Sequence, residues 1–536
     1  MQRIDWSRIL FRGALGAAYG VVGGAMGALV LSHVHAAVSA EKAVALRAAV
    51  ASVTAVELRE HAGVLADDAL EGREAGSRGG LAAARYLEQR LVQAGMSPAG
   101  DSASFRQRFR GSYQNLLAVL PGSDPELADE YVLVGAHYDH VGYGTRRNSN
   151  GPWGFVHNGA DDNASGVAAV LEVVDAAHRV DWRPRRSILF AFWDAEEKGL
   201  LGAKHWASAP TVPLEQVKLA FNVDMVGRMV GHRLEVSGTR TGISLRRLLS
   251  FRELPPEMRV DFTWEYKDNS DHWPLYQAGI PAVCVHTGLH EDYHRPSDDV
   301  EKLNLHGMEQ ATGYLVQAVF RMADEDHLPA CREVAVSENP ELKKRLETLL
   351  PALPSRLGVE WTRASGSEEF LVAARVPVDS TAYADGLRTG DRLVEFDGIP
   401  CESVDQLLRR VLASESRASC VVERGEQRLK LMLTLAGPPV RFGIAWREDA
   451  NEPETVFVTR VAPGSPADVA GLEPLDRILS LQGSVVRGQD DLLDRISGAL
   501  SNGTEAIALE IERAGRISDV WVDLSHGSAL RADPSL

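Results

Sequence analysis

The sequence predicts an α/β fold, a mixed and mostly parallel sheet flanked by helices, followed by two small β-rich repeats. Three observations predict it. Residues 53–323 alternate helical and strand-like patterns, and the apolar runs there are short and continuous. Beyond residue 333, paired motifs return at a shared offset of 85 residues. Alternation of this kind calls for helices packed on both faces of a sheet, whose strands then read as unbroken apolar runs. A shared offset over many positions means duplicated domains.

Taken in order, Arg3, Arg8 and Arg12 precede an uncharged run over 13–31, with small residues ending at Ala36 or Ala40. This is the pattern of an export segment, and it fits a cleaved signal or a retained membrane anchor. Six glycines between Gly13 and Gly27 argue against a soluble helix there. The spacing predicts a helix over 81–94, stopped at Gly95 with Pro98 beyond. Strands follow at 115–120, 131–136, 187–193, 219–223 and 280–286, with helices at 164–178 and 305–322. In the repeats, Leu357-Gly358-Val359-Glu360-Trp361 returns as Phe442-Gly443-Ile444-Ala445-Trp446. Gly386-Leu387, Asp391-Arg392 and Gly398 return as Gly471-Leu472, Asp476-Arg477 and Gly483, with helices expected at 404–412 and 490–496. The expected organisation is therefore an export segment (1–40), an α/β domain (41–330), a linker (331–353), two repeats (354–436 and 437–526) and a tail (527–536).

A chain of 536 residues exceeds what one hydrophobic core fills. Its formal charge of -17 disfavours nucleic acid as a partner, because phosphate neutralisation needs Lys and Arg. Cys284, Cys331, Cys401 and Cys420 form no C-x-x-C pair, which excludes a zinc knuckle or a dithiol redox motif and leaves disulfides unassigned.

Residues able to bind metal fall where predicted strands end. His137 and Asp139 close one strand, Asp161-Asp162-Asn163 open a helix, Glu196-Glu197 follow the next strand, Asp224 ends another, and His294 lies after the last. In open parallel sheets, sites form beyond the strand C-termini, so these groups can converge. Two histidines and several carboxylates without cysteine make a ligand set suited to catalytic zinc and tolerant of cobalt or manganese.

The segments Gly135-Ala136-His137-Tyr138-Asp139, 159–166, 193–202, 222–227 and Tyr293-His294, with Ser270-Asp271-His272, resemble those of the bacterial two-zinc aminopeptidases of metallopeptidase family twenty-eight, over roughly 55–325. The resemblance implies two zinc ions, one on His137, Asp162 and Asp224, the other on Asp162, Glu197 and His294, with Asp162 bridging. It further implies that Asp139 orients His137, that Glu196 is the general base for the water shared by the metals, and that Tyr293 donates to the oxyanion. A cis peptide is expected after Asp162. The stretch over 141–157, with Trp153 and Phe155, fits either a pocket rim or a solvated surface loop.

Each repeat resembles a bacterial PDZ domain, which captures an extended peptide by strand addition. The resemblance makes Leu357-Gly358-Val359 and Phe442-Gly443-Ile444 the loops that receive a terminal carboxylate, so that peptide tails or partner C-termini join peptide substrates as expected ligands. The second copy departs from Gly-Asp by carrying Leu475 before Asp476. Competing readings are a glutaminyl cyclase-like or carboxypeptidase-like member of the same fold, and an exported PDZ scaffold without catalysis. The expected location is periplasmic or extracellular, with membrane anchoring through the N-terminus as one form of it.

Overall fold

The computed structural model describes residues 41–180, 183–338, 340–364 and 370–525. The export segment expected over 1–40 lies outside them. Among the described residues no helix is long and apolar enough to cross a membrane.

Nine strands build the main sheet: β1 (Ser97–Pro98), β2 (Arg106–Phe109), β3 (Tyr113–Leu120), β4 (Tyr131–His137), β5 (Ser187–Trp193), β6 (Val217–Val223), β7 (Arg233–Ser237), β8 (Arg259–Thr263) and β9 (Ala282–His286). Their order is β1-β3-β5-β4-β6-β9-β7-β8, with β2 on β3. The centre, β5-β4-β6-β9, is parallel. Antiparallel pairing enters at β3–β5 and β7–β9, making the sheet mixed as expected. Every residue of β5 is buried, which accounts for its unbroken apolar sequence. The strand expected from Ile280 begins at Ala282, because Pro281 has no N–H to give the ladder, although its carbonyl still accepts from Ala220 at 2.9 Å.

Five helices position the site: α1 (Ala55–Leu65), α2 (Arg78–Gln93), α3 (Gly166–Arg179), α4 (Leu201–Ser208) and α5 (Leu305–Asp324). α2 starts where Ser77 accepts from the Gly80 amide, and its stop at Gly95, φ +67°, is the left-handed cap expected. Gly166 through Ala177 of α3 are all buried, so this helix is a core element, with α1 and α5 packed against it.

The repeats form two further antiparallel sheets. The first holds β10 (Glu360–Arg363), β11 (Leu371–Arg375), β12 (Arg392–Phe396), β13 (Arg417–Arg424) and β14 (Gln427–Thr434) in sequence order. The second holds β15 (Ile444–Glu448), β16 (Val456–Val461), β17 (Arg477–Leu481), β18 (Ser484–Val485), β19 (Ala506–Arg513) and β20 (Arg516–Asp523), with β15 at one edge. Helices α6 (Val404–Ala413) and α7 (Gln489–Ser501) occupy matching places. Both copies bury an aspartate under a two-pronged arginine: Asp391 under Arg424 at 2.7 and 2.8 Å, Asp476 under Arg513 at 2.6 and 2.7 Å. The departure at Leu475 leaves the backbone path unchanged. Leu475 adopts φ +75° where Gly390 adopts +92°, so a leucine carries a left-handed conformation that glycine accepts without strain.

The β19–β20 hairpin is joined to the α/β region by main-chain bonds. Val260 donates to the Ala514 carbonyl, Phe251 to Gly515 and Ile517 to Phe251, at 2.9, 2.9 and 3.1 Å. Beside them Glu512, only 1% exposed, takes Arg246 at 2.8 and 3.2 Å and lies 3.8 Å from Arg477. Glu512→Ala would strand the largely buried Arg246 guanidinium, while Arg477 keeps Glu452 at 2.9 Å, and is expected to cost about 3–5 kcal/mol. A denaturant midpoint equal to that of the native chain would show that this seam carries no stability.

Among the described residues the four cysteines are free thiols, Cys284, Cys401 and Cys420 being buried.

Candidate metal centre

The crevice beyond β4, β5, β6 and β9 gathers the groups the sequence pointed to. His137 is the last residue of β4 and Asp224 follows β6. His137 Nε2 lies 3.4 Å from Asp162 Oδ1 and 3.4 Å from Asp224 Oδ1. Across the same aspartate, His294 Nε2 lies 3.0 Å from Asp162 Oδ2 and 3.2 Å from Glu197 Oε1. The two oxygens of one carboxylate thus face two clusters.

Local structure places Asp162 there. Gly159, φ +57°, turns the chain where a Cβ would lie 2.1 Å from the Asp162 carbonyl oxygen and 2.5 Å from His140. The amides of Asp161 and Asp162 both donate to Asp298 Oδ2 at 3.0 Å. Asn163 donates to the Val223 carbonyl and accepts from the Met225 amide, which ties this loop to the end of β6 on either side of Asp224. The Asp162–Asn163 peptide is cis, as the resemblance implies. Ser270 Oγ donates to Asp224 Oδ2 at 2.6 Å and accepts from Asn222.

The donor set fits zinc. Two ligand atoms bound tetrahedrally at 2.0–2.1 Å sit about 3.4 Å apart, close to the spacing at His137. Asp224 Oδ1 is buried without a hydrogen-bond partner, although it points at that imidazole. Against burial, which favours the neutral ring, Asp162 and Glu197 raise His294 to about 10. A pocket that attracts a proton this strongly attracts a dication by the same field.

Asp139 serves otherwise than through its carboxylate alone. His137 Nδ1 lies 3.2 Å from the Asp139 main-chain oxygen and 3.8 Å from Oδ1, while Oδ1 accepts the Glu196 amide at 3.0 Å. Asp139 therefore fixes both the histidine and the start of the Glu196-Glu197 turn. Burial pushes the Glu196 carboxyl well above the ordinary range; His137 opposes this, and Glu197, Asp271 and Asp224 reinforce it. Tyr293 stacks on His294 with ring centres 4.0 Å apart. Burial, with Asp162 and Glu197, raises its hydroxyl far above the usual value, so it stays a donor.

The segment over 141–157 clasps the histidine loop. Asn150 N and Ser149 Oγ both donate to the His294 carbonyl, at 3.0 and 3.1 Å, and Asn150 Nδ2 donates to the Tyr293 carbonyl. Its Trp153 and Phe155 are 48% and 60% exposed. At the repeats, Leu357 and Phe442 are buried, the Gly358 amide donates to Ser355 Oγ, and the Gly443 carbonyl accepts from Ala462. Val359 and Ile444 pack partly buried against their respective cores.

Two residues escaped the sequence reading. His140 Nδ1 is 2.8 Å from Glu197 Oε1 and 3.9 Å from Asp162 Oδ2, which places it in the His294 cluster. Its signal was a third polar residue directly after His137-Tyr138-Asp139. Arg73, fully buried, donates to the carbonyls of Leu65, Tyr138, Asn158 and Gly159 and so holds the loops that carry His137 and Asp162. Burial lowers its pKa to about 10, while Asp162, Asp139, Asp298 and Glu197 pull it back up.

Histidines and carboxylates share one buried crevice at the ends of parallel strands, a donor set able to hold divalent metal in an α/β fold. Comparison with known proteins narrows the class. The model described as Peptidase family M28 matches residues 115–319, and the model described as PDZ domain matches 440–524. Leupeptin-inactivating enzyme 1 of Streptomyces exfoliatus is 28% identical over 283 residues, covering 52% of this chain and 59% of that protein. Aminopeptidase YwaD of Bacillus subtilis is 28% identical over 225 residues, 40% of this chain and 46% of that one. Leucine aminopeptidase 1 of Trichophyton rubrum is 31% identical over 267 residues, 46% of this chain and 68% of that one. This chain therefore belongs to peptidase family M28. It spans about half the length of the first two relatives.

Proposed function

We propose that the chain is an exported aminopeptidase that uses two zinc ions and removes N-terminal residues from peptides. The observation that carries this reading is Asp162, whose two carboxylate oxygens face His137 on one side and His294 on the other, at 3.4 and 3.0 Å. His137, Asp162 and Asp224 would hold one ion, and Asp162, Glu197 and His294 the other, with His140 beside Glu197. Bound zinc supplies Lewis acidity toward the scissile carbonyl and lowers the pKa of water toward 7. Glu196 takes the proton of the attacking water and delivers it to the leaving amine. Tyr293 donates to the carbonyl oxygen as charge develops there. Trp153 and Phe155, half-exposed on the segment that clasps His294, would rim the approach to the centre.

The aminopeptidase direction is supported by the names of two relatives, Leucine aminopeptidase 1 and Aminopeptidase YwaD. Both repeats are read as PDZ-like, their edge strands β10 and β15 being open to strand addition by peptide tails or partner C-termini. The basic, then apolar N-terminus supports export. The test pairs metal content with substrate direction. Asp162→Asn is expected to lose two equivalents of zinc relative to the native chain, and the native chain to cleave leucyl reporters but not their N-acetylated forms. Loss of one equivalent would mean a single-metal centre, and cleavage from the carboxyl end would replace the reading with a carboxypeptidase.

A further inference from the structure

We propose that His61, Glu172 and Asp175 form a separate site for one divalent cation of the zinc type, buried between helices and away from the strand-end crevice. His61 comes from α1; Glu172 and Asp175 stand three residues apart on α3 and so share a face. Carboxylates paired in this way with a histidine from a facing helix are a recurrent way of building metal sites inside helix packs.

The geometry is close to that of a three-ligand site with one open position. His61 Nε2 lies 3.8 Å from Glu172 Oε1 and 3.7 Å from Asp175 Oδ2, and the three ligand atoms fall within 4.8 Å of one another. Tetrahedral zinc needs about 3.4 Å, a closure of a few tenths of an ångström. The three residues are 5%, 0% and 8% exposed. Neither oxygen of Glu172 has a hydrogen-bond partner, an expensive state for a fully buried carboxylate unless it faces a cation. On the far side of the imidazole, His61 Nδ1 lies 2.7 Å from Tyr86 Oη. With Nδ1–H donating to the tyrosine, the Nε2 lone pair is turned toward the carboxylates.

Charge and access agree. Glu57, Glu60, Glu172 and Asp175 gather here against Arg90 and Arg179, and burial, with Glu57 and Asp175 beside it, pushes the Glu172 carboxyl up to about 8, so a dication would bind by displacing its proton. Arg90 holds Asp175 Oδ2 at 2.8 Å and keeps that group ionised. A cavity of about 390 Å³, lined by Glu57, Glu60, His61, Tyr86 and Arg90 among others, opens beside the cluster as an entry path.

The experiment uses the full chain, stripped with chelator and titrated with zinc alone. In an Asp162→Asn background, where the strand-end centre is disabled, one equivalent is expected to remain. It should disappear in Asp162→Asn/Glu172→Gln and weaken at least tenfold in Asp162→Asn/His61→Gln. Equal binding by the single and double variants overturns the proposal. Should the Glu172 variant fail to fold, the His61 variant decides alone, and undiminished binding overturns it. Whether the crevice holds two ions is read separately, from the native chain against Asp162→Asn.

Discussion

Glu196→Gln is expected to lower kcat for an aminoacyl substrate by about 10²–10⁴ while zinc content stays that of the native chain. The two effects separate because Glu196 belongs to neither ligand cluster, although its neighbour Glu197 does. Its amide is pinned by Asp139 Oδ1 at 3.0 Å, and its carboxyl lies in a buried field shared with Asp224 and Asp271. Such a carboxylate binds a proton more readily than an ordinary one, and the amide replacement keeps the shape but cannot take the proton. A loss confined to kcat, with KM little changed, marks a group that acts on the transition state. A variant as active as the native chain would remove Glu196 from the reaction.

Arg73→Ala is expected to be the most damaging substitution outside the ligands. One guanidinium satisfies carbonyls of Leu65, Tyr138, Asn158 and Gly159, and all of these bonds but the one to Asn158 are buried. Each buried acceptor left without a donor costs about 1–3 kcal/mol, so the loss is on the order of 4 kcal/mol or more. That corresponds to a fall in Tm of roughly 10 °C. Because Tyr138 adjoins His137 and Gly159 governs the turn into Asp162, zinc affinity should fall with it. Arg73→Lys retains the charge but has no planar fork, so it should recover little. A melting temperature within a degree of the native value for Arg73→Ala would show that these bonds are dispensable.

The legible parts of the molecule were those written in local pattern. The central strands announced themselves because burial on both faces demands continuous apolar sequence, and the five candidate ligands because their motifs fall at strand ends. β7 and β8 were not read, since Arg233–Ser237 and Arg259–Thr263 are short and alternate polar with apolar residues, as suits strands toward the sheet edge. Arg73 gave no signal either. A lone arginine reads as surface, and only the tertiary fold reveals that three of its four partners are carbonyls more than sixty residues away. His140 went unread because the quoted motif ends one residue before it, at Asp139. The duplication was plain from its offset, whereas the seam at the β19–β20 hairpin, built on main-chain bonds to Phe251 and Val260, leaves no trace in composition or spacing.

That seam changes what counts as a unit of this protein. A family boundary drawn near residue 440 separates two sequence lineages, yet strand-like bonding and ion pairing cross it. The portion beyond the boundary is then no detachable accessory. It should melt and regain protection from hydrogen exchange together with the peptidase region, as one cooperative block. Evolution by swapping modules is closed off at this junction in the same measure: a replacement for the last repeat would have to bring the hairpin tip with it.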